Sequence, residues 1–283
     1  MVTNNVRDLA PGHAVYAFLL NAQGRIQADL YVFQRGESLL VDTERVQKTK
    51  VLELFDRYII ADDVEIADMS ETLTAVGLTG PSSRTVLERA GVPVTELAHL
   101  QFVDLAWRGT TITLLHSGEE AAESWQVWIS PDHVAEIWGA LVEAGARPTG
   151  TTALNLFRVS RGIPQFGVDI HDRDLPQETG QTRALNFTKG CYLGQEIVER
   201  IRSRGAVHRQ FGAFSVDGEL PEPGAKIFAS GSEKEVGEIT SIAILPLLSG
   251  DRAMALGYLR REAAEKDLRA GTTALKPAAL PII

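Results

Sequence analysis

The sequence predicts an α+β protein of two or three domains with a small all-β module at its carboxyl end. Alternating and helical apolar patterns are mixed up to about Arg204, and short β-like runs separated by Gly, Pro and Ser follow that point. A length of 283 residues allows several buried cores. The composition, 44% hydrophobic and 23% charged, is that of a soluble globular protein.

A β-hairpin is predicted near the amino terminus. Residues 14–20 are rich in Val, Tyr and Phe, the segment NAQG (21–24) is typical of a turn, and residues 25–33 alternate apolar side chains with other types. These features predict two paired strands. The elements predicted next are a strand over 38–42, a helix over 44–60, and strands over 64–69 and 72–79.

Residues 70–148 alternate between strand and helix patterns, which predicts a compact α+β unit. The segment GPSS (80–83) is a turn whose hydroxyls can cap a helix over 84–90. Such a turn could also hold an anion, but it lacks the lysine and the spacing of a phosphate loop. The other elements predicted here are strands over 101–107, 110–116 and 124–129, and a helix over 131–144 that Pro131 opens.

In the last part of the chain, the sequence pattern changes from helical to irregular and then to β-like. A helix is predicted over 151–161, with Gly162 at its end. Residues 165–180 are polar and irregular, and a loop of this length inside a compact domain is usually functional or mobile. The runs after Arg204 predict the all-β module, with strands over 210–216, 225–228, 235–244 and 253–259.

Charge, cysteine usage and histidine spacing exclude several classes of function. A formal net charge of -9 argues against direct nucleic-acid binding. No apolar run approaches the roughly 20 residues that span a bilayer, and the amino terminus has no apolar signal-peptide core. One cysteine and no targeting segment favour the cytoplasm. The histidines are scattered without metal-ligand spacing, so no metal site is predicted.

The segment KGCYLGQE (189–196) contains the only cysteine, Cys191. A single cysteine cannot form an intrachain disulfide or a thiolate metal site. The preceding cation, Lys189, and a helix predicted to start after Tyr192 would lower the thiol pKa, which favours a reactive thiol. The alternative is a small buried apolar residue, the commonest state of a free cysteine.

A basic run follows this segment, with Arg200, Arg202 and Arg204 at every second position. On a strand, the three guanidiniums would share one face. Guanidiniums suit the carboxylates of an anionic ligand because they pair with them through two hydrogen bonds. The alternative is a solvated edge strand that is protected by its charge.

Three segments of the chain carry a resemblance to a known family. KGCYLGQE resembles the signature of the YgfZ branch of the YgfZ/GcvT folate-binding superfamily. Residues 3–30 resemble the first folate-domain segment of that family, and FRVSRGIP (157–164) resembles its LRLEAGIP-type run. The resemblance implies a GcvT-like arrangement around a central folate cavity. The implied domains are a folate-binding domain over 1–69 with 149–205, a ferredoxin-like α+β domain over 70–148, and a β-barrel over 206–283.

The same resemblance implies a function. The YgfZ branch serves iron–sulfur cluster maturation, and its parent enzyme is the aminomethyltransferase of glycine cleavage. We therefore expect a tetrahydrofolate-binding protein that assembles or repairs iron–sulfur clusters in client enzymes, including tRNA-modifying ones. The implied partners are folate and iron–sulfur client or assembly proteins, without direct nucleic-acid or membrane binding. The alternatives are a folate-dependent aminomethyltransferase and a non-enzymatic adaptor without folate binding.

Several residues acquire roles from the resemblance. Trp125 and Gln126 lie in a segment similar to a GEDGYEI-type strand whose Glu contacts the pterin, so Trp125 would be a ring wall and Gln126 would replace that Glu; a core strand is the alternative. Arg158 matches the retained Arg of LRLEAGIP. The catalytic pair would be Cys191 and Lys189. The other implied folate contacts are Asp29, Tyr192, Gln195, Glu196, Arg200 and Arg202.

The run Ala28-Asp29-Leu30 matches an acidic pair of the DDLIV type that the parent enzyme uses beside folate. One of the two acids is replaced here by Ala28, which argues against aminomethyl transfer. Family members usually carry some tens of residues before the segment that matches Thr3. We therefore expect either a short variant or a start codon that was assigned late, and a missing first strand would leave a sheet edge exposed.

Overall fold

A computed structural model of the chain describes residues 1–59, 63–117 and 123–281. The chain divides into two compact units. Unit 1 consists of Met1–Asn4, Ala17–Asp29 and Thr149–Ile283, and unit 2 consists of Asn5–Tyr16 and Leu30–Pro148. The three-domain division expected from the sequence stays a prediction. No helix within the described residues has the length and hydropathy to span a bilayer.

The first strands form a three-stranded sheet in the order β1-β2-β3. Strands β1 (Ala14–Leu20) and β2 (Ile26–Gln34) are the predicted hairpin, and β3 is Leu39–Asp42. Buried and half-buried residues alternate along most of β2, as its sequence pattern predicts. The boundary between the two units falls inside β1 and inside β2.

Unit 2 also contains a four-stranded antiparallel sheet in the order β4-β7-β6-β5. Its core joins large apolar side chains of the strands, among them Trp107, Trp125 and Ile112, with Leu87 and Ile137 of two helices. The elements are β4 (Thr74–Thr79), β5 (Phe102–Trp107), β6 (Thr110–His116), β7 (Ser124–Ile129), α1 (Lys48–Tyr58), α2 (Ser83–Arg89) and α3 (Val134–Glu143).

Unit 1 contains a closed six-stranded barrel in the order β10-β11-β8-β13-β12-β9. The barrel encloses an apolar core that includes Phe214, Ile239 and Leu268. Val159 of helix α4 packs in a second cluster against barrel residues such as Met254. The elements are α4 (Thr151–Arg161), α5 (Gln195–Arg204), β8 (Arg209–Asp217), β9 (Lys226–Ala229), β10 (Glu235–Leu247), β11 (Gly250–Arg260), β12 (Leu268–Ala270) and β13 (Thr273–Ala278).

The all-β module expected from the sequence is therefore confirmed as a closed barrel, but two of its strands were not predicted. Strand β12 has only three residues, too few for an alternating pattern to show. Strand β13 contains Pro277, which lacks a backbone N–H and argues against a strand. It pairs with β8, where Pro277 lies opposite Phe214.

Three other expectations need correction. The strand predicted over 64–69 has no regular structure. The predicted helix over 44–60 begins with a 3-10 helix, Arg45–Gln47, and its last predicted residue lies outside the described residues. Neither hydroxyl of the GPSS turn caps α2: the N-cap residue Ser82 makes no side-chain cap bond, and Ser83 Oγ donates to the carbonyl of Gly80 at 2.6 Å.

The predicted basic strand is also wrong, since Arg200 to Arg204 belong to helix α5. Ile197, Val198 and Ile201 follow a helical spacing, which places apolar residues on one side of α5. Glu196 lies in the first turn, and Arg202 and Arg204 lie in the last turn. This charge order is favourable for the helix dipole, so it stabilises a helix rather than a strand.

Candidate functional site

The candidate site is built around residues 189–194, named here the motif loop, in unit 1. A turn at Asn186 leads into it. The Asn186 Oδ1 atom accepts hydrogen bonds from the backbone N–H groups of Thr188 and Lys189, both at 2.9 Å, and from the Thr188 hydroxyl at 3.1 Å. An Asn side chain that binds backbone N–H groups in this way fixes a turn. The start of the motif loop is therefore held locally.

Lys189 is bound to the beginning of the chain. Its Nζ donates to the carbonyl oxygens of Val2 at 2.6 Å and of Asn4 at 2.9 Å. The ammonium lies 5.1 Å from the ring centroid of Tyr192, within cation–π distance. The side chain is half-buried, and this burial lowers the pKa of Lys189 below its ordinary value because it disfavours the charged form.

The segment Val2–Asn4 is in turn held on both sides. The Thr3 N–H donates to the Phe18 carbonyl at 3.0 Å, and the Asn186 N–H donates to the Thr3 carbonyl at 3.0 Å. The Thr3 hydroxyl donates to Ala184 O at 2.6 Å, and Thr3 is fully buried. The segment thus bridges β1 and the residues that precede the motif loop. The motif loop is anchored to the sheet through this segment.

Cys191 is exposed in the motif loop. Exposure agrees with an accessible thiol and disagrees with the alternative of a buried packing residue. Within the described part of the chain, no hydrogen bond joins the Lys189 ammonium to this thiol, because the bonds of the ammonium go to backbone carbonyls. The structure therefore shows an accessible thiol beside a lysine that is engaged elsewhere.

The end of the motif loop packs tightly against the turn between β1 and β2. Gly194 has a φ of +82°, and a Cβ atom there would lie 2.5 Å from Asn21 O and 2.9 Å from Gly24 Cα. At Gly24, whose φ is +71°, a Cβ atom would lie 2.7 Å from Ile197 Cβ. Both positions therefore require glycine for helix α5 to start this close to the turn.

Tyr192 and Gln195 close a turn that leads into α5. The Tyr192 N–H donates to Gln195 Oε1 at 3.2 Å, and the Gln195 N–H donates to the Tyr192 carbonyl at 3.2 Å. Burial, together with the negative charge of Glu199, raises the pKa of Tyr192 to about 12. Tyr192 is therefore a neutral phenol at physiological pH. Glu196, in the first turn of α5, is exposed.

The arginines of α5 do not form one face. Arg200 and Arg204 are four residues apart and share a face, whereas Arg202 lies on the opposite side of the helix. The Arg202 guanidinium lies 4.4 Å from the Phe187 ring centroid and 3.6 Å from the Glu199 carboxylate. Arg200 and Arg204 are exposed. A cationic surface therefore remains, but two arginines share it instead of the three that were predicted.

Arg158 is occupied by contacts inside unit 1. Its guanidinium donates to Asp169 at 2.5 Å, to Ser241 Oγ at 2.8 Å and to the Ile163 carbonyl at 2.9 Å, and it also binds Asn155 Oδ1 at 2.9 Å. Asp169 is fully buried. It also accepts hydrogen bonds from Gln165 N, Thr240 Oγ1 and Ser241 Oγ. Arg158 thus joins α4 to β10, and its role as a folate contact stays a prediction.

A second buried carboxylate, Asp174, attaches the later part of the segment 165–180 to the barrel. It accepts hydrogen bonds from Arg209 of β8, from the His171 N–H at 2.7 Å and from the Tyr258 hydroxyl at 3.5 Å. Arg209 also pairs with Glu178 at 3.2 Å, and it lies 4.5 Å from the Tyr258 ring centroid. The polar segment 165–180 is therefore bound by buried charges rather than loosely placed on the surface.

The remaining sequence-derived residues lie on strands. Ala28 is fully buried in β2, and Asp29 next to it is half-buried. In unit 2, Trp125 is 1% exposed and stacks on His116 with ring centroids 4.6 Å apart. The Gln126 side chain accepts a hydrogen bond from Trp128 Nε1 at 3.0 Å. These contacts favour the core-strand alternative for Trp125 over the ring wall.

No group of His, Cys, Asp and Glu side chains among the described residues could hold a metal ion. Among the residues expected to contact a folate, Asp29 is half-buried and Arg200 is exposed. Residues that the sequence did not reveal as part of the site are Thr3, Asn186 and Gly24. Thr3 and Gly24 contact distant parts of the chain, and no short-range pattern marks such contacts. The side-chain contacts of Asn186 are local, with Thr188 and Lys189.

Comparisons with known proteins agree with this architecture. Residues 1–189 match the family model described as "GCVT N-terminal domain", and residues 209–281 match the one described as "CAF17, C-terminal beta-barrel domain". The second match coincides with the closed barrel β8 to β13. The GcvT-like fold with a carboxy-terminal barrel that the sequence predicts is thereby confirmed.

Curated relatives match along most of the chain. An aminomethyltransferase of Halothermothrix orenii is 26% identical over 277 residues, which cover 93% of this chain and 74% of the relative. An aminomethyltransferase of Rubrobacter xylanophilus is 28% identical over 265 residues, with 93% and 70% covered. The crystal structure of glycine cleavage system aminomethyltransferase T from Bartonella henselae matches with a TM-score of 0.81 at 21% identity, covering 100% of this chain and 79% of that one.

Proposed function

This chain belongs to the family described as GCVT N-terminal domain, and from that premise we propose that it binds tetrahydrofolate and acts in the assembly or repair of iron–sulfur clusters. The observation that carries the proposal is the exposed thiol of Cys191 in a loop that is anchored at both ends. An anchored, accessible thiol is suited to chemistry on a partner protein, whereas a packing cysteine is not.

We propose that two residues of unit 1 meet the chemical demands of a folate. A pterin needs a carboxylate or amide facing its pyrimidine edge, and a glutamate tail needs cations. Asp29 offers a half-buried carboxylate, and Arg200 offers an exposed guanidinium. The proposed folate contacts are Asp29, Tyr192, Gln195, Glu196 and Arg200. The roles of Gln126 and Arg202 stay predictions. When bound, tetrahydrofolate would supply one-carbon or reducing chemistry.

The proposed role on iron–sulfur clusters is exercised on other proteins. One thiol cannot supply the four thiolates that a cluster requires. Cys191 would instead meet the cluster or a cluster ligand of a client or assembly protein from its exposed position. The match of residues 209–281 to the CAF17 barrel supports this branch of the family. The clients proposed include tRNA-modifying enzymes that carry such clusters.

Aminomethyl transfer is a second candidate, which the names of the curated relatives favour. It requires the acidic pair that the run Ala28-Asp29-Leu30 lacks. Ala28 is fully buried, so its side of β2 belongs to the core rather than to a ligand surface. A third candidate, a client-docking adaptor, differs from the proposal only in the absence of folate binding.

Equilibrium dialysis with tetrahydrofolate and complementation of a cell that lacks the protein test the proposal together. We expect folate binding by the wild type and by Cys191→Ser, and recovery of iron–sulfur enzyme activity by the wild type only. The control is Cys191→Ser combined with Ser203→Cys, which moves an exposed thiol to α5. This variant should also fail. Absent folate binding would favour the adaptor, and full rescue by Cys191→Ser would overturn the role of the thiol.

A further inference from the structure

We infer that Lys189 is a positioning residue, whose ammonium fixes the motif loop on the segment Val2–Asn4 and so determines where Cys191 is presented. The inference deepens the proposed function, because it assigns the lysine of the motif a role that acts through the loop. It replaces the expectation that Lys189 activates the thiol as a neighbouring cation.

The geometry of the ammonium supports this role. Of its three N–H groups, two are used by the carbonyls of Val2 and Asn4, at 2.6 and 2.9 Å. The ring of Tyr192 lies 5.1 Å away. Hydrogen bonds from a charged donor are the stronger ones in proteins, so this pair of contacts is a firm attachment. A half-buried ammonium that is bound to backbone carbonyls has a structural role.

The position of Cys191 argues against direct activation of its thiol by the Lys189 ammonium. Its side chain is exposed, and water around an exposed thiol screens the field of a nearby cation. The described residues show no hydrogen bond between the ammonium and the thiol. The lysine can nevertheless control the thiol, because Gly190 is the only residue that separates Lys189 from Cys191. Movement of the anchored end displaces the thiol.

Amide hydrogen exchange in Lys189→Met tests the attachment. Methionine preserves much of the apolar stem and removes the donors. We expect exchange at the amides of Thr3 and Asn186, which bind Phe18 O and Thr3 O, to become about tenfold faster or more. The same substitution at the exposed Lys276, also in unit 1, should leave both amides unchanged. Unchanged exchange in Lys189→Met would overturn the inference.

The pH dependence of Cys191 alkylation by iodoacetamide separates positioning from activation. If Lys189 only positions the loop, the midpoint of the rate profile stays where it is in the wild type when the charge is removed. If the ammonium activates the thiol, the midpoint rises by about one pH unit or more in Lys189→Met. Such a rise would overturn the inference. Should Lys189→Met fail to fold, Lys189→Gln replaces it, since its amide is neutral and can still donate to a carbonyl.

These readouts do not depend on the proposed function. Exchange and alkylation are measured on the purified full chain without folate or client. In the complementation assay we expect Lys189→Met to fail and Lys189→Arg, which keeps several donors, to recover part of the activity. Lys189→Met could fold, lose the amide protection and still rescue fully. That result would show that Lys189 does not control the thiol. Rescue by Cys191→Ser would instead count against the proposed function.

Discussion

At the scale of single residues, buried carboxylates decide how the long polar segment 165–180 is placed. Asp169 and Asp174 are almost fully buried, and each is paired with an arginine from another element. A buried charge is tolerated only when it is paired and hydrogen-bonded, because its desolvation is costly. These two residues therefore fix a stretch whose sequence shows no regular pattern.

Removal of one partner from the Asp169 pair should be strongly destabilising. In Asp169→Asn, the partly buried guanidinium of Arg158 keeps its charge and loses its fully buried counter-ion. We expect the free energy of unfolding to fall by about 3–5 kcal/mol. Urea unfolding followed by circular dichroism measures this, with the exposed Asp172→Asn in the same segment as the control. Equal effects of the two substitutions would contradict the stabilising role of the Asp169–Arg158 pair.

Tyr192 should ionise later than an ordinary tyrosine. Its pKa is raised to about 12, with burial as the main cause. The unfolded chain loses this proton near pH 10, while the folded chain keeps it, so the contribution of Tyr192 to stability declines as the pH rises from about 10 towards 12. Absorbance at the phenolate band, compared between the wild type and Tyr192→Phe, isolates the titration. A midpoint near 10 for Tyr192 would disprove the shift.

At the scale of elements, the start of helix α5 depends on the turn between β1 and β2. Gly194 and Gly24 allow the two backbones to approach within distances that exclude a side chain. Both glycines adopt positive φ, which other residues reach only with strain. The direction of α5, and with it the exposure of Arg200 and Arg204, follows from this contact.

Gly194→Ala should therefore displace the helix start. The new Cβ would meet the carbonyl oxygen of Asn21 at 2.5 Å, and backbone atoms cannot move aside cheaply. We expect a loss of about 1–3 kcal/mol in the free energy of unfolding. Gly190→Ala in the same loop is the matched control, because nothing lies within 4 Å of its added Cβ and its φ is not positive. A Gly194→Ala variant as stable as Gly190→Ala would refute the close approach.

The sequence predicted elements best where a long pattern repeats within one segment. Helix α4 begins and ends where its apolar spacing and Gly162 predict. In α5, the alternating arginines from Arg200 onward predict a strand and obscure the helical spacing of Ile197, Val198 and Ile201. Cys191 was found because it is unique, whereas the partners of Lys189 lie 187 and 185 residues away and leave no local trace.

At the scale of the whole molecule, the fold is that of the GCVT family with a barrel of the CAF17 type. The fold alone does not choose between aminomethyl transfer and the proposed role, because one architecture can serve several chemistries. The choice depends on particular residues, above all on Ala28 and Cys191.

Tetrahydrofolate should stabilise the folded chain. A ligand that binds only the native state adds about 2.7 kcal/mol to the free energy of unfolding when its free concentration is one hundred times its dissociation constant. We expect a corresponding rise in melting temperature for the wild type and for Cys191→Ser alike. Folded protein that shows no shift at millimolar folate would contradict the proposal.

Aminomethyl transfer from a glycine-cleavage carrier protein should be undetectable. The resemblance places Ala28 where the parent enzyme has one of two acids, and Ala28 is fully buried, so we propose that this chain lacks part of that machinery. The measurement is turnover with the loaded carrier and tetrahydrofolate. A rate of about 1 per second or more, typical of enzymes, would show that the second candidate is correct.

The attachment of Lys189 to Val2 and Asn4 also has a consequence for biosynthesis. The bond partners are separated by 185 residues or more, so the segment Val2–Asn4 emerges from the ribosome long before Lys189 is added to the chain. At ordinary elongation rates the wait is roughly 10 to 40 seconds. Thr3 and its neighbours must stay available during that time, since the motif loop reaches its final position only after two thirds of the polypeptide has been made. A nascent chain stalled before Lys189 should therefore expose this segment to proteases.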